Sequence, residues 1–359
     1  MRKKIVAQNE TVVVGADVHM NKHVVTVKAG GEVKGTNHLA PTPEAWRSFM
    51  KRFPGCQVNV VYESGPQGYN LHDWLTHMNP DKETQVHGYI APPAHVPKAA
   101  GKHVKTDKRD SLSLIQAFEM KSFRPVVVPD RASREERELV RTREQVKNMH
   151  KRIKNQIHGM MKFHGVQYPE CGAWSSAWLA QLEMNVKAVD TTTGCLYFAF
   201  KAKLDMYRST LETIKDLDKK IFEMTKKSNC AATAQKIEGL TGIGWSSAAV
   251  IATEVADFTA FDNSAAFASY TGLVPRENSS GETTRRGHIT KAGNRRLRHL
   301  FVECAWAWVR FDEDARRQYN RIKMGKPERA RIAITAMARK LAVKTYHVVV
   351  NSPPLENAA

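Results

Sequence analysis

No stretch of this 359-residue sequence stays apolar for the roughly 18 residues that a membrane-spanning helix needs, which excludes an integral helical membrane protein. The first ten residues carry basic side chains but no apolar segment behind them, so no secretory signal is expected. Cysteine is scarce. The five present (Cys56, Cys171, Cys195, Cys230, Cys304) are odd in number and far apart, with no zinc-ligand spacing. They read as thiols of a reducing cytoplasm rather than a disulfide framework. The fourteen histidines offer no ligand pattern either: His19/His23 and His158/His164 read as scattered surface or core residues. Acidic residues are also in short supply, 36 against 55 Lys and Arg.

What that deficit leaves is a formal charge of +19, which calls for a polyanionic partner. Nucleic acid is the first candidate and an anionic membrane surface the second. The charge is concentrated. Residues 98–162 hold 17 basic against 8 acidic residues, a net of +9, and residues 276–331 hold 15 against 7, a net of +8. A charge run is commonly just a solvated face. Two such windows inside foldable sequence favour nucleic acid. With 42% hydrophobic residues the chain can build substantial cores, and its length suggests two or three domains.

The pattern predicts an α/β domain over residues 10–128. Thr11–Val18, His23–Lys28 and Glu32–His38 read as strands, the last two joined by the turn signal Ala29-Gly-Gly31. Helices at 43–52, 67–78 and 107–121 alternate with strands at 58–62 and 84–90. Residues 129–230 read as an arm. Ser133–Lys162 and Phe198–Lys227 carry apolar residues at threes, fours and sevens, as in an antiparallel coiled coil joined by a looser segment at 166–195. Residues 231–350 form a mainly helical domain. It opens with a Gly-punctuated turn at 239–244, which resembles a helix-hairpin-helix element and equally fits an ordinary αα-corner. A closing helix is expected over 329–349.

Two constellations carry chemistry. Asp17 ends the apolar run Val12-Val-Val-Gly-Ala-Asp17, and Glu63 ends Val58-Asn-Val-Val-Tyr-Glu63, positions where a carboxylate is costly unless paired or metal-bound. Asp107 and Asp110 stand three apart at a helix start and so face one side. Four such carboxylates can hold two divalent cations that polarise a phosphate. Helix capping by Asp107 and a dipole contact by Asp110 account for that pair alone. The second constellation runs from Tyr270 to Arg298. There Ser280-Gly281 lies in a polar turn ahead of a cationic loop with Arg285, Arg286, Lys291, Arg295, Arg296 and Arg298, and with Arg276 before it. A serine flanked by guanidinium groups can attack a phosphodiester, but Ser279, Thr283 and Thr284 offer the same hydroxyl, and a Ser-Gly turn that only contacts phosphate fits as well.

The order Asp17, Glu63, Asp107, Asp110, then a long-helix insertion, then Gly-Leu-Val-Pro…Ser-Ser-Gly…Gly-x-Ile-Thr-Lys-x-Gly-Asn-x-x-Leu-Arg, resembles the DEDD transposases of bacterial insertion sequences, the bridge-RNA-guided family related to the Piv DNA invertase. The resemblance spans about residues 11–347. It implies an RNase H-like, RuvC-type first domain whose metal ligands map onto Asp17, Glu63, Asp107 and Asp110. It implies two Mg²⁺ ions per site, with Mn²⁺ able to substitute, and a transposase domain whose nucleophile maps onto Ser280. It further implies donor and target DNA, a structured non-coding guide RNA, a dimer or tetramer in which one subunit's metal site meets another's serine, and a bacterial cytoplasm with nucleoid association. The competing readings are a RuvC-like nuclease that uses water, and a non-catalytic nucleic-acid scaffold.

Overall fold

Valine runs recur at 12–14, 24–27 and 58–61, and in the computed structural model these β-branched stretches form three strands of a five-stranded sheet. The structure describes residues 10–65, 68–78, 83–93, 96, 107–277 and 286–352. The chain divides into two compact units, Met1–Val128 and Pro129–Ala359.

In the first unit, β1 (Thr11–Val18), β2 (His23–Ala29) and β3 (Glu32–Leu39) make an antiparallel meander. β4 (Gln57–Glu63) then pairs parallel to β1, and β5 (Gln85–Ala91) parallel to β4, giving the order β3-β2-β1-β4-β5. The parallel pairings require crossover connections, supplied by α1 (Pro43–Met50) and α2 (Asn70–Thr76). Thr42 caps α1, its hydroxyl accepting from the Ala45 amide at 3.3 Å. Alternation along β1 divides the two faces. Val12, Val14 and Ala16 pack with Trp46, Phe49 and Leu75 of the crossover helices. Val13 points to the other face, where α3 (Asp107–Glu119) lays Leu114 and Ile115 over it. His23, read from sequence as a surface or core histidine, is a core residue: fully buried, its Nδ1 accepts from Trp46 Nε1 at 2.9 Å.

The second unit begins with α4 (Arg131–Phe163), capped by Asp130, whose carboxylate accepts from the Ser133 amide at 2.8 Å. α6 (Cys195–Lys227) packs along α4 in the opposite sense, as the contacts Arg143 to Asp218 and His150 to Thr210 require. The expected looser joint contains a further helix, α5 (Ser176–Val189). Its signal was in the sequence: a Ser175 cap, then Trp178, Leu179, Leu182 and Val186 at helical spacing, all buried against Ile157, Phe200 and Leu204. Gly159 stands in mid-α4 with open space around its α-carbon. Gly159→Ala is therefore expected to stabilise the protein by roughly 0.5–1 kcal/mol, read as a higher midpoint in urea unfolding.

Next come α7 (Ala231–Glu238), α8 (Trp245–Val255) and α9 (Ser264–Tyr270). A two-stranded hairpin of β6 (Pro275–Glu277) and β7 (Arg286–Ile289) follows, then α10 (Arg295–Phe311), α11 (Glu313–Lys323) and α12 (Ala330–Asn351). Their core is formed by Phe267, Leu297, Phe301, Ala305, Met337 and Leu341. Gly242, at φ +94° in the turn between α7 and α8, lies where a β-carbon would come within 2.6 Å of the Cys304 carbonyl, so this turn is seated on α10. Among the described residues no helix is long and apolar enough to cross a membrane.

Candidate functional site

Asp17 follows Val13 and Gly15 on the α3 face of β1, because side chains two apart share a face. Glu63 follows Val61, which packs with Leu114 and Ile115, so alternation sets Glu63 on the same face at the exposed end of the neighbouring strand β4. Across these strand ends lies the first turn of α3, with Asp107 and Asp110. Gly15 permits this approach: a β-carbon there would lie 1.9 Å from the Ser111 carbonyl oxygen. The sheet and helix thus gather carboxylates separated by some ninety residues of sequence.

Ligand atoms of Asp17, His19 and Asp107 all lie within 4.8 Å of one another. His19 Nε2 is 3.1 Å from Asp17 Oδ2, and Lys22 Nζ donates to Asp107 at 2.9 Å. Burial pushes the Asp17 carboxyl above its ordinary value, His19 opposes that rise, and the charges of Asp107 and Asp110 add to it. Asp107 is held below its ordinary value by the hydrogen bond from Lys22. This is a crowded anionic site whose repulsion is relieved by two basic groups of the turn between β1 and β2. Carboxylate oxygens with one imidazole nitrogen suit a divalent cation, so the residues present fit a metal.

His19 corrects the sequence reading, which placed it among scattered histidines. It belongs to the cluster because the chain turns back after Val18 and keeps it beside Asp17. Its position two residues after an acid at a strand end was the available signal. Lys22 was missed for want of any such signal.

The second constellation is divided. Ser279, Ser280, Thr283, Thr284 and Arg285 lie outside the described residues, between β6 and β7. Arg276 is exposed on β6, and Arg286 begins β7. The expected cationic loop is partly helix: Arg295, Arg296 and Arg298 stand in the first turn of α10. Lys291 is exposed at φ +56°, and Arg295 is exposed. Two of the arginines are engaged within the protein. Arg298 Nη1 donates to the carbonyls of Lys291 (3.1 Å) and Thr271 (3.4 Å), and Arg296 is paired with Glu144 of α4.

Beneath them Glu254 of α8, its side chain 2% exposed, accepts a fork from Arg141 of α4 at 2.7 and 2.9 Å and a bond from Asn294 Nδ2 at 2.8 Å. Asn294 also caps α10, accepting from the Arg296 and Leu297 amides at 2.9 and 3.1 Å. Two glycines let the block close on itself. A β-carbon at Gly293 (φ +84°) would meet the Tyr270 carbonyl at 2.1 Å, and one at Gly272 (φ +69°) the Ala292 carbonyl at 2.2 Å. Several residues of the motif therefore build the platform on which the exposed cations sit.

Two family models match the chain over the stretches in which the two constellations lie. A family model described as Transposase IS116/IS110/IS902 family covers residues 234–320, and a second transposase model, of the DEDD type of IS110 elements, covers residues 14–165. The chain is 30% identical over 310 residues to the putative transposase y4qE of Sinorhizobium fredii, covering 85% of this chain and 74% of that one. It is 26% identical over 376 residues to the putative transposase y4rJ of the same organism (96% and 89% covered). With the transposase for insertion sequence element IS1111A of Coxiella burnetii the identity is 25% over 270 residues, covering 73% of this chain and 69% of that one.

Proposed function

This chain belongs to the IS116/IS110/IS902 transposase family, enzymes that act on DNA, and we propose that it is an RNA-guided recombinase with a serine nucleophile and a divalent-metal site. The observation that carries the reading is the convergence of Asp17, His19 and Asp107, with Asp110 beside them, at one edge of the sheet. The strand order, an antiparallel meander followed by two parallel additions, supports an RNase H-like, RuvC-type domain. Residues 129–230 act as the arm, and 231–350 as the transposase domain bearing Ser280.

Asp17, Glu63, Asp107 and Asp110 would hold Mg²⁺, two ions per site with Mn²⁺ able to substitute. Bound there, such cations polarise a scissile phosphate and offset charge on its departing oxygen. Ser280 Oγ attacks the phosphorus and loses its proton to solvent as the new O–P bond forms. The bond to the deoxyribose oxygen breaks, and that oxygen leaves as a hydroxyl after taking up a proton. One phosphoester replaces another, so rejoining to a new strand needs no external energy source. Arg276, Arg285, Arg286, Lys291 and Arg295 neutralise the backbone phosphates, and Arg296 and Arg298 border the same path from α10. A structured non-coding RNA pairs with donor and target DNA, and the enzyme works as a dimer or tetramer. Guide RNA and oligomer are what the resemblance to the DEDD transposases implies.

Incubation with the element's RNA, target DNA and Mg²⁺ tests the reading. A denaturation-resistant protein–DNA adduct is expected from the wild type, none from Ser280→Ala, and none from Asp17→Asn or Glu63→Gln. Cleavage without an adduct, undiminished in Ser280→Ala, would establish a water-using nuclease instead. Unchanged DNA products from both carboxylate variants would leave only a scaffold. Sequencing nucleic acid co-purified from the native host is expected to recover one dominant non-coding RNA, and random cellular RNA would overturn the guided targeting.

A further inference from the structure

The layer between α3 and the sheet is apolar around Val13, Val61, Leu114 and Ile115, yet two hydroxyls are buried completely within it. Thr26 Oγ1 and Ser111 Oγ lie 2.7 Å apart, although 85 residues separate them. Ser111 Oγ also donates to the Lys108 carbonyl at 2.9 Å. On the other side Thr26 Oγ1 lies 3.1 Å from Thr36 Oγ1. A hydroxyl has one proton to donate. With Ser111's given to Lys108, Thr26 must donate to Ser111, and Thr36 to Thr26. The chain therefore has one direction, from β3 through β2 into the backbone of the turn Asp107-Lys-Arg-Asp110.

The sheet register lines these groups up. Gly15 of β1 pairs with Thr26 of β2, and Thr26 with Thr36 of β3, so one row crosses three strands. Ser111 sits above the Gly15 end of that row, its carbonyl where a β-carbon would otherwise be. Apolar contacts alone let a helix slide or rotate on a sheet at little cost, because they have no direction. A hydrogen bond of 2.7 Å into the residue next to Asp110 does have direction.

We propose that Thr36, Thr26 and Ser111 are positioning residues: their hydroxyl chain fixes the rotation of the first turn of α3, so that Asp107 and Asp110 face Asp17 at the spacing a divalent cation requires. This deepens the metal-site reading above and rests on it. None of the three need touch the cation. They act through the backbone of the turn, as the outer partners of metal ligands do elsewhere.

Mn²⁺ titration of the full-length protein, with free ion counted by electron paramagnetic resonance, tests both levels separately. Thr26→Val keeps the shape and removes the hydroxyl, and Thr26→Ser keeps the hydroxyl. The expected result is a Kd for Mn²⁺ raised about tenfold or more in Thr26→Val, the scale seen for outer-shell partners of metal ligands, and restored to within about twofold of wild type in Thr26→Ser. The double variant Thr26→Val/Ser111→Ala removes both fully buried hydroxyls and deprives only the half-buried Thr36 of its acceptor. It is expected to melt near the wild type while still binding Mn²⁺ weakly, which separates the turn's orientation from fold stability. Wild-type affinity in Thr26→Val or in the double variant would overturn the positioning role while leaving the metal site standing. Failure of the wild type to bind Mn²⁺ would overturn the metal reading and this proposal together.

Discussion

Gly15→Val is expected to remove both metal binding and DNA cleavage while leaving the arm and the C-terminal helices folded. The conflict is with main chain: the first added carbon would stand 1.9 Å from the Ser111 carbonyl oxygen and 2.9 Å from Ile115 Cγ1. A helix backbone cannot rotate away as a side chain can, so α3 must lift from β1 by about 1 Å even for alanine, and further for valine. Overpacking of this kind costs about 1–3 kcal/mol, and the upper end applies where the obstacle is backbone. The functional loss is larger than the loss of stability. Asp107 and Asp110 move with the turn that Ser111 ends, and a displacement of about 1 Å in a positioned group costs about 10²-fold in rate. Urea unfolding together with a cleavage assay checks this. Near-normal cleavage in Gly15→Ala would show that α3 is not held against β1 as described. Gly159→Ala, with open space at its α-carbon, is the matching control of opposite sign.

Glu254→Ala is expected to destabilise the second unit by about 3–5 kcal/mol, the scale for removing one partner of a buried ion pair. The loss exceeds that of an ordinary salt bridge because several groups converge on one buried carboxylate. Arg141 would lose the carboxylate that receives its fork, and Asn294 would lose the acceptor that orients it as the α10 cap. Glu254→Gln keeps the shape and part of the hydrogen bonding, so its loss should be smaller. Chemical unfolding of both variants measures the difference, and a cost below about 1 kcal/mol for alanine would mean the cluster contributes no more than a surface pair.

The same residue sets a pH dependence. Burial alone would raise the Glu254 carboxyl, but the hydrogen bonds from Arg141 and Asn294 outweigh it and hold the group below its ordinary value. A carboxyl lowered on folding adds stability that is complete above its unfolded value, about 4.3, and is lost as pH falls through the lower folded value. Wild-type stability should therefore fall more steeply in acid than that of Glu254→Gln, which has no proton to gain.

Much of the fold was legible because it rests on local pattern. The β-branched runs at 11–18 and 58–62 became β1 and β4, and the threes and fours of 133–162 and 198–227 became α4 and α6. The carboxylates at strand ends were legible for a different reason, since a charge ending an apolar strand has to be compensated. The approach of Asp107 to Asp17 was not. It depends on α3 crossing the face of β1 and on Gly15 admitting Ser111, while the parallel addition of β4 sets Glu63 on that same face. Lys22 was invisible because a turn, not a periodicity, returns it to the acids, and His19 offered only its place two residues after Asp17.

The basic windows show the same division. Composition alone determined the +19 charge that pointed to a polyanionic partner, since net charge is a sum and needs no coordinates. Which cations face outward was decided by tertiary structure. Arg295 and Arg296 are neighbours in sequence, yet Arg295 is exposed while Arg296 is paired with Glu144, 152 residues away. Adjacent helical residues point about 100° apart, and only the packing of α10 beside α4 and α8 determines which of the two directions holds an acid.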